Sequence, residues 1–133
     1  MAAVAPAAAE VLWSNAGQEE RRRLLLVGTQ TESGSSRGIY AFHWEPLSGE
    51  LQSAGLAAES DNPTFLTLDP DARYLYAANE ISSFEAQASG AVSAFEVDHD
   101  RAKLKPINKV ASLGQGTCHV GVDHLSRAAF CAN

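Results

Sequence analysis

The chain has 133 residues, 20% charged and 45% apolar, with a formal net charge of −6 and two cysteines. This is the balance of a globular domain whose acidic field disfavours nucleic acid and anionic membrane surfaces, although one local cationic pocket would still admit a phosphorylated small molecule. No apolar run approaches the ~20 residues of a membrane-spanning helix. Cys118 and Cys131 lack metal or redox spacing and fit a reducing compartment, so the cytoplasm is the expected location.

Residues 1–22 open with the Ala-rich stretch MAAVAPAAAE, and the first basic residue is Arg21. A secretory leader would need a basic n-region and a longer apolar core, so this segment reads as a frayed extension. The run Glu19-Glu20-Arg21-Arg22-Arg23 reads as a solvated charge cluster. The folded domain is expected over 23–133.

From residue 24 onward the pattern is that of short strands: LLLVGT (24–29), GIYAFHW (38–44), LQSAGLAA (51–58), TFLTL (64–68) and RYLYAAN (73–79). VSAFEV (92–97), LKPINKVAS (104–112), HVGV (119–122) and RAAFCAN (127–133) continue the series. Turn-forming clusters such as EPLSGE, SDNP and DPDA separate them, and no stretch keeps helical apolar spacing. The chain is all-β.

The segments repeat. Phe42 recurs as Phe95 and Leu51 as Leu104, each at an offset of 53; Asp69 recurs as Asp123, Arg73 as Arg127 and Asn79 as Asn133, each at 54. A period of about 50 residues holding four short strands is the signature of a β-propeller blade. Strands 64–68, 73–79, 92–97 and 104–112 then form one complete blade. Three strands before it lack an innermost partner, and two after it are expected to expose an unpaired edge. Seven blades would need roughly 360 residues, so the chain reads as an incomplete propeller, the N-terminal two blades or so of seven.

The segments LLLVGTQT, GIYAFHWEPLSGEL, NPTFLTLDPDARYLYAANE, GAVSAFEVD, GTCHVGVD and FCAN together resemble the 6-phosphogluconolactonase-like lactonase family over residues 24–133. The resemblance implies a seven-bladed propeller that hydrolyses 6-phosphogluconolactone, a small phosphorylated sugar lactone of the pentose phosphate pathway, with no cofactor. It also implies that a piece of this length is inactive, because the family draws cationic and acidic site residues from later blades. The family includes propellers that interconvert carboxymuconates and their lactones, and a non-catalytic propeller serving as a binding platform is a further alternative. The chain departs from the family pattern at Ala72 and Ser126, where Gly is usual, and at Thr117, where Pro is usual.

Repeat arithmetic singles out His119. The equivalent position one blade earlier is Phe65, while Val120 and Val122 match the apolar Leu66 and Leu68. An imidazole breaking an otherwise apolar pattern at the start of an innermost strand points to the central channel, where it could accept a proton from an attacking water. The alternative is a histidine bonded to a backbone carbonyl in the blade packing. Glu80, directly after a strand and pointing opposite to Asn79, could orient His119 or bind a lactone hydroxyl; otherwise it is an exposed loop residue. Asn62-Pro63 is expected to set the turn into an innermost strand.

Three other motifs fail on context. Gly34-Ser35-Ser36-Arg37-Gly38 fits the G-x-S-x-G pattern but lies between two strands, where a nucleophilic Ser36 would lack its strand-to-helix elbow. Cys118 and His119 are adjacent on a strand and point to opposite faces. His43, His99 and His124 lie at turns or strand ends without metal-ligand spacing.

Overall fold

The computed structural model describes residues 23–133, and the segment 1–22 lies outside the described residues, as does its expected frayed character. Every regular element described is a strand: β1 (Arg23–Val27), β2 (Gly38–Trp44), β3 (Leu51–Glu59), β4 (Pro63–Leu68), β5 (Tyr74–Asn79), β6 (Ala91–Asp98), β7 (Lys103–Ala111), β8 (His119–Val122) and β9 (Ala129–Ala132). They form three antiparallel sheets in the orders β1-β2-β3, β4-β5-β6-β7 and β8-β9. The second sheet is a full four-stranded propeller blade. Among the described residues, the first lacks the innermost strand and the third has only its two inner strands, as the repeat phase requires.

The period resides first in the turns. In the β4–β5 turn, Asp69 Oδ1 accepts the backbone N–H of Arg73 (2.7 Å) and Tyr74 (2.8 Å). In the β8–β9 turn, Asp123 Oδ1 accepts those of Arg127 (2.6 Å) and Ala128 (2.8 Å). Ala72 and Ser126, the third residue after each aspartate, both adopt φ of 54°, a left-handed conformation that disfavours any side chain. Such capture of two N–H groups explains why β5 starts at Tyr74 and β9 at Ala129 rather than at the arginines.

Packing shows which faces meet. Ile39, Ala41 and Ala57 of the first sheet form one buried cluster with Leu75, Ala77, Phe95, Val97 and Leu104 of the second. On β2 the buried side chains are Ile39 and Ala41, whereas on β6 they are Ala91, Ser93, Phe95 and Val97. With the repeat offset, those are opposite faces of equivalent strands. Each sheet turns one face to the one that follows and the other to the one that precedes, and only faces with a neighbour are buried. Phe42 and Phe95 hold equivalent register, opposite Leu25 and Leu75 respectively, yet Phe42 is half-buried and Phe95 is 3% exposed.

The crossovers between sheets bring their inner strands together. Asn62, buried with φ of 39°, accepts the N–H of Thr31 (2.7 Å) and Glu32 (3.2 Å) on Oδ1 and donates from Nδ2 to Glu80 O (3.1 Å). It therefore sets the turn into β4 and also ties down the β1–β2 loop. Gly116, the equivalent position before β8, has φ of 68°. β1 ends at Val27, short of the expected Thr29, and at Gly28 the crossover passes so close that a Cβ would overlap the Pro63 carbonyl.

Candidate functional site

The innermost strands begin at one end of the molecule, and that end gathers the candidate residues. The β7–β8 crossover is firmly held: Gly116 N–H donates to Ile81 O (3.0 Å) and Cys118 N–H to Ala132 O (3.0 Å). Thr117, fully buried, donates from Oγ1 to Asn133 Oδ1 at 2.8 Å and lies 2.6 Å from Ser112 Oγ. A hydroxyl thus takes up the bracing where the family usually carries a proline. His119 follows as the first residue of β8, with an exposed side chain.

The His119 imidazole lies against Phe65 of β4, ring centroids 4.3 Å apart and planes inclined by 40°. Phe65 is the residue that repeat arithmetic makes equivalent to His119, so equivalent positions on neighbouring inner strands touch. Among the described residues, neither imidazole nitrogen engages a hydrogen-bond partner. The backbone-carbonyl alternative is therefore absent among the described residues, and the side chain as a whole is exposed.

Glu80 is exposed at the end of β5, opposite in direction to the buried Asn79. Its N–H donates to Asn62 O (2.9 Å), and its Oε2 accepts the Thr64 hydroxyl at 2.8 Å. Glu80 and His119 flank the start of β4 without a hydrogen bond between them among the described residues. Thr64 and Phe65, neighbours on β4, hold one each. Neither contact was visible in the sequence, although subtracting the repeat from His119 names Phe65.

Two cations stand at the same end, and both are engaged. Arg37 pairs with Glu59. Lys109 Nζ lies 2.9 Å from Asp61 Oδ2 and 5.3 Å from the Phe84 ring centroid. Ser36 sits in the β1–β2 loop between two strands, not on a strand-to-helix elbow. Cys118 is exposed, its Sγ 3.9 Å from Ala132 O. No three His, Cys, Asp or Glu side chains gather as a metal site among the described residues.

The family profile described as Lactonase, 7-bladed beta-propeller matches residues 24–133. The chain belongs to this lactonase family. The 6-phosphogluconolactonase of Bacillus subtilis is 32% identical over 107 residues, covering 80% of this chain and 29% of that protein. The 6-phosphogluconolactonase of Formosa agariphila is 31% identical over 109 residues, covering 82% and 30%. The structure of a periplasmic gluconolactonase from Pseudomonas aeruginosa superposes with a TM-score of 0.72 at 31% identity, covering 83% of this chain and 30% of that one. The chain thus spans about 30% of the length of these lactonase relatives.

Proposed function

We propose that the protein containing this chain hydrolyses 6-phosphogluconolactone to 6-phosphogluconate, a step of the pentose phosphate pathway, with His119 as general base. The observation that carries the reading is the exposed His119 imidazole at the start of an inner strand, with neither nitrogen hydrogen-bonded among the described residues. Opening a lactone requires water to attack the ring carbonyl while a base removes its proton, and a neutral imidazole serves that role near neutral pH. Glu80, steadied by the Thr64 hydroxyl, is placed to accept a hydrogen bond from a lactone hydroxyl. Relatives carrying the 6-phosphogluconolactonase name support the substrate.

Both cations at this end of the described residues are paired with carboxylates. The phosphate in this reading is held by residues outside 23–133, and the 133-residue chain alone turns over no lactone. A second reading, hydrolysis of the unphosphorylated gluconolactone, is favoured by the same paired cations and by the Pseudomonas relative's name. The two readings also differ in compartment: the cytoplasm for the phosphorylated substrate, the periplasm by analogy for the other. No helix of the described residues is long and apolar enough to cross a membrane.

The test is to measure both lactones with the full-length polypeptide and its His119→Gln variant. The reading expects higher kcat/KM on the phosphorylated lactone and a loss of about 10²–10⁴-fold in turnover on losing the base. Unchanged turnover in the variant would remove His119 from the reaction. Preference for the unphosphorylated lactone would move the assignment to the second reading.

A further inference from the structure

We propose that Phe65 is the positioning residue of His119, an aromatic platform that fixes the imidazole plane without engaging either ring nitrogen. The inference rests on the base role of His119 and adds a residue to it.

A general base must point one nitrogen at the proton it takes, and active-site histidines are usually oriented by a hydrogen bond from the other nitrogen to a carboxylate or carbonyl. His119 has no such partner among the described residues. Its ring contact is with Phe65, at a centroid distance of 4.3 Å and an inclination of 40°, within the range of favourable aromatic pairs. A phenyl ring has no polar atom to compete for the proton or for substrate, so it restrains tilt without occupying either ring nitrogen.

The setting of Phe65 differs from that of a core phenylalanine. Its neighbour Leu66 packs on the hydrophobic cluster between the first and second sheets, whereas Phe65 remains 37% exposed on the opposite side of β4. The stack bridges two inner strands from different sheets. Both strands enter through hydrogen-bonded crossovers: the Asn62 side chain ties Thr31 and Glu80 before β4, and Gly116 and Cys118 N–H bond Ile81 O and Ala132 O before β8. Thr64, one residue earlier on β4, holds Glu80 at 2.8 Å. The start of β4 therefore supports both candidate groups, each through a different side chain.

The experiment uses the full-length polypeptide as Phe65→Leu, Phe65→Tyr, His119→Gln and the Phe65→Leu/His119→Gln double variant. Phe65→Leu should lower kcat about 3- to 10-fold with KM within about twofold of the parent. Phe65→Tyr, which keeps the ring, should stay within about twofold in both constants. In the His119→Gln background the leucine substitution should cost nothing further, since the two residues act as one unit. The His119 ring-proton resonances, displaced by the phenyl ring current, should move in Phe65→Leu and stay in Phe65→Tyr.

Parental kcat in a folded Phe65→Leu, with His119→Gln impaired, would overturn the positioning role and leave the base intact. An equal loss from Phe65→Leu in both backgrounds would overturn it as well, since the ring would then act on the fold alone. Parental turnover in His119→Gln would overturn the base assignment and any positioning role with it. Should Phe65→Leu not fold, the comparison of Phe65→Tyr with the parent decides: a tyrosine variant with displaced His119 resonances and lowered kcat contradicts the platform.

Discussion

Phe42 and Phe95 occupy the same place in successive sheets, and their surroundings differ because only one of them faces a neighbour. Phe95 looks back onto the first sheet and is 3% exposed; Phe42 looks the other way and is half-buried. The same inversion separates Ile39 and Ala41, buried against the second sheet, from their equivalents Val92 and Ala94, which are only partly covered. An open cavity of about 250 Å³ lies beside Val92, Val110, Val120 and Phe130. Burial in this architecture belongs to the interface between sheets rather than to the repeat position, as expected where stability is a sum of units and nearest-neighbour contacts.

The comparison can be broken most forcefully at the phenylalanines. In the 133-residue chain, Phe95→Ala should cost about 3–5 kcal/mol, as for a fully buried aromatic, and Phe42→Ala about 1 kcal/mol. Urea midpoints at constant m-value measure both. Similar losses at the two positions would mean that the exposed face is not truly open.

The crossovers sharpen it next. Asn62 and Gly116 share a positive φ, but only Asn62 uses its side chain, to fix Thr31, Glu32 and Glu80. Asn62→Gly keeps the backbone conformation but removes the acceptor of two partly buried amides, so it should cost about 1–2 kcal/mol. The turns should respond alike and in the opposite direction: Ala72→Gly and Ser126→Gly each relieve a φ of 54°. Each should raise stability by about 0.5–1 kcal/mol.

The smallest effect lies in the acid limb. The backbone N–H of Ala128, followed by those of Arg127 and Leu125, holds the Asp123 carboxyl below its ordinary value of 3.8. A carboxyl with a lowered folded value adds stability above its unfolded value, and the contribution fades as pH falls through the folded one. Asp123→Asn should therefore flatten the loss of stability as pH falls below about 4, without changing its sign. Denaturant melts across that range measure the slope.

The order of the strands, the four-stranded sheet and the paired aspartate turns were legible in the sequence, because turn chemistry and alternation are local. Strand limits slipped where a side chain captured backbone N–H groups, at Arg73 and Arg127 through the aspartates. His119 and Glu80 were legible as candidates, one by its break in the repeat and the other by its place after a strand. Their partners Phe65 and Thr64 were not, since both contacts depend on the tertiary arrangement at the start of β4. The opposite burial of Phe42 and Phe95 was likewise hidden, because identical residues at identical phase carry no information about which neighbour is present.

Hydroxyl-radical footprinting of Phe42, Phe95 and Phe130 tests the sheet-to-sheet account most directly, in the 133-residue chain and in the full-length polypeptide. Phe95 should be protected in both, while Phe42 and Phe130 should be labelled in the shorter chain and protected in the longer one. Equal labelling of Phe42 in the two would contradict the assignment of its face to a neighbouring blade.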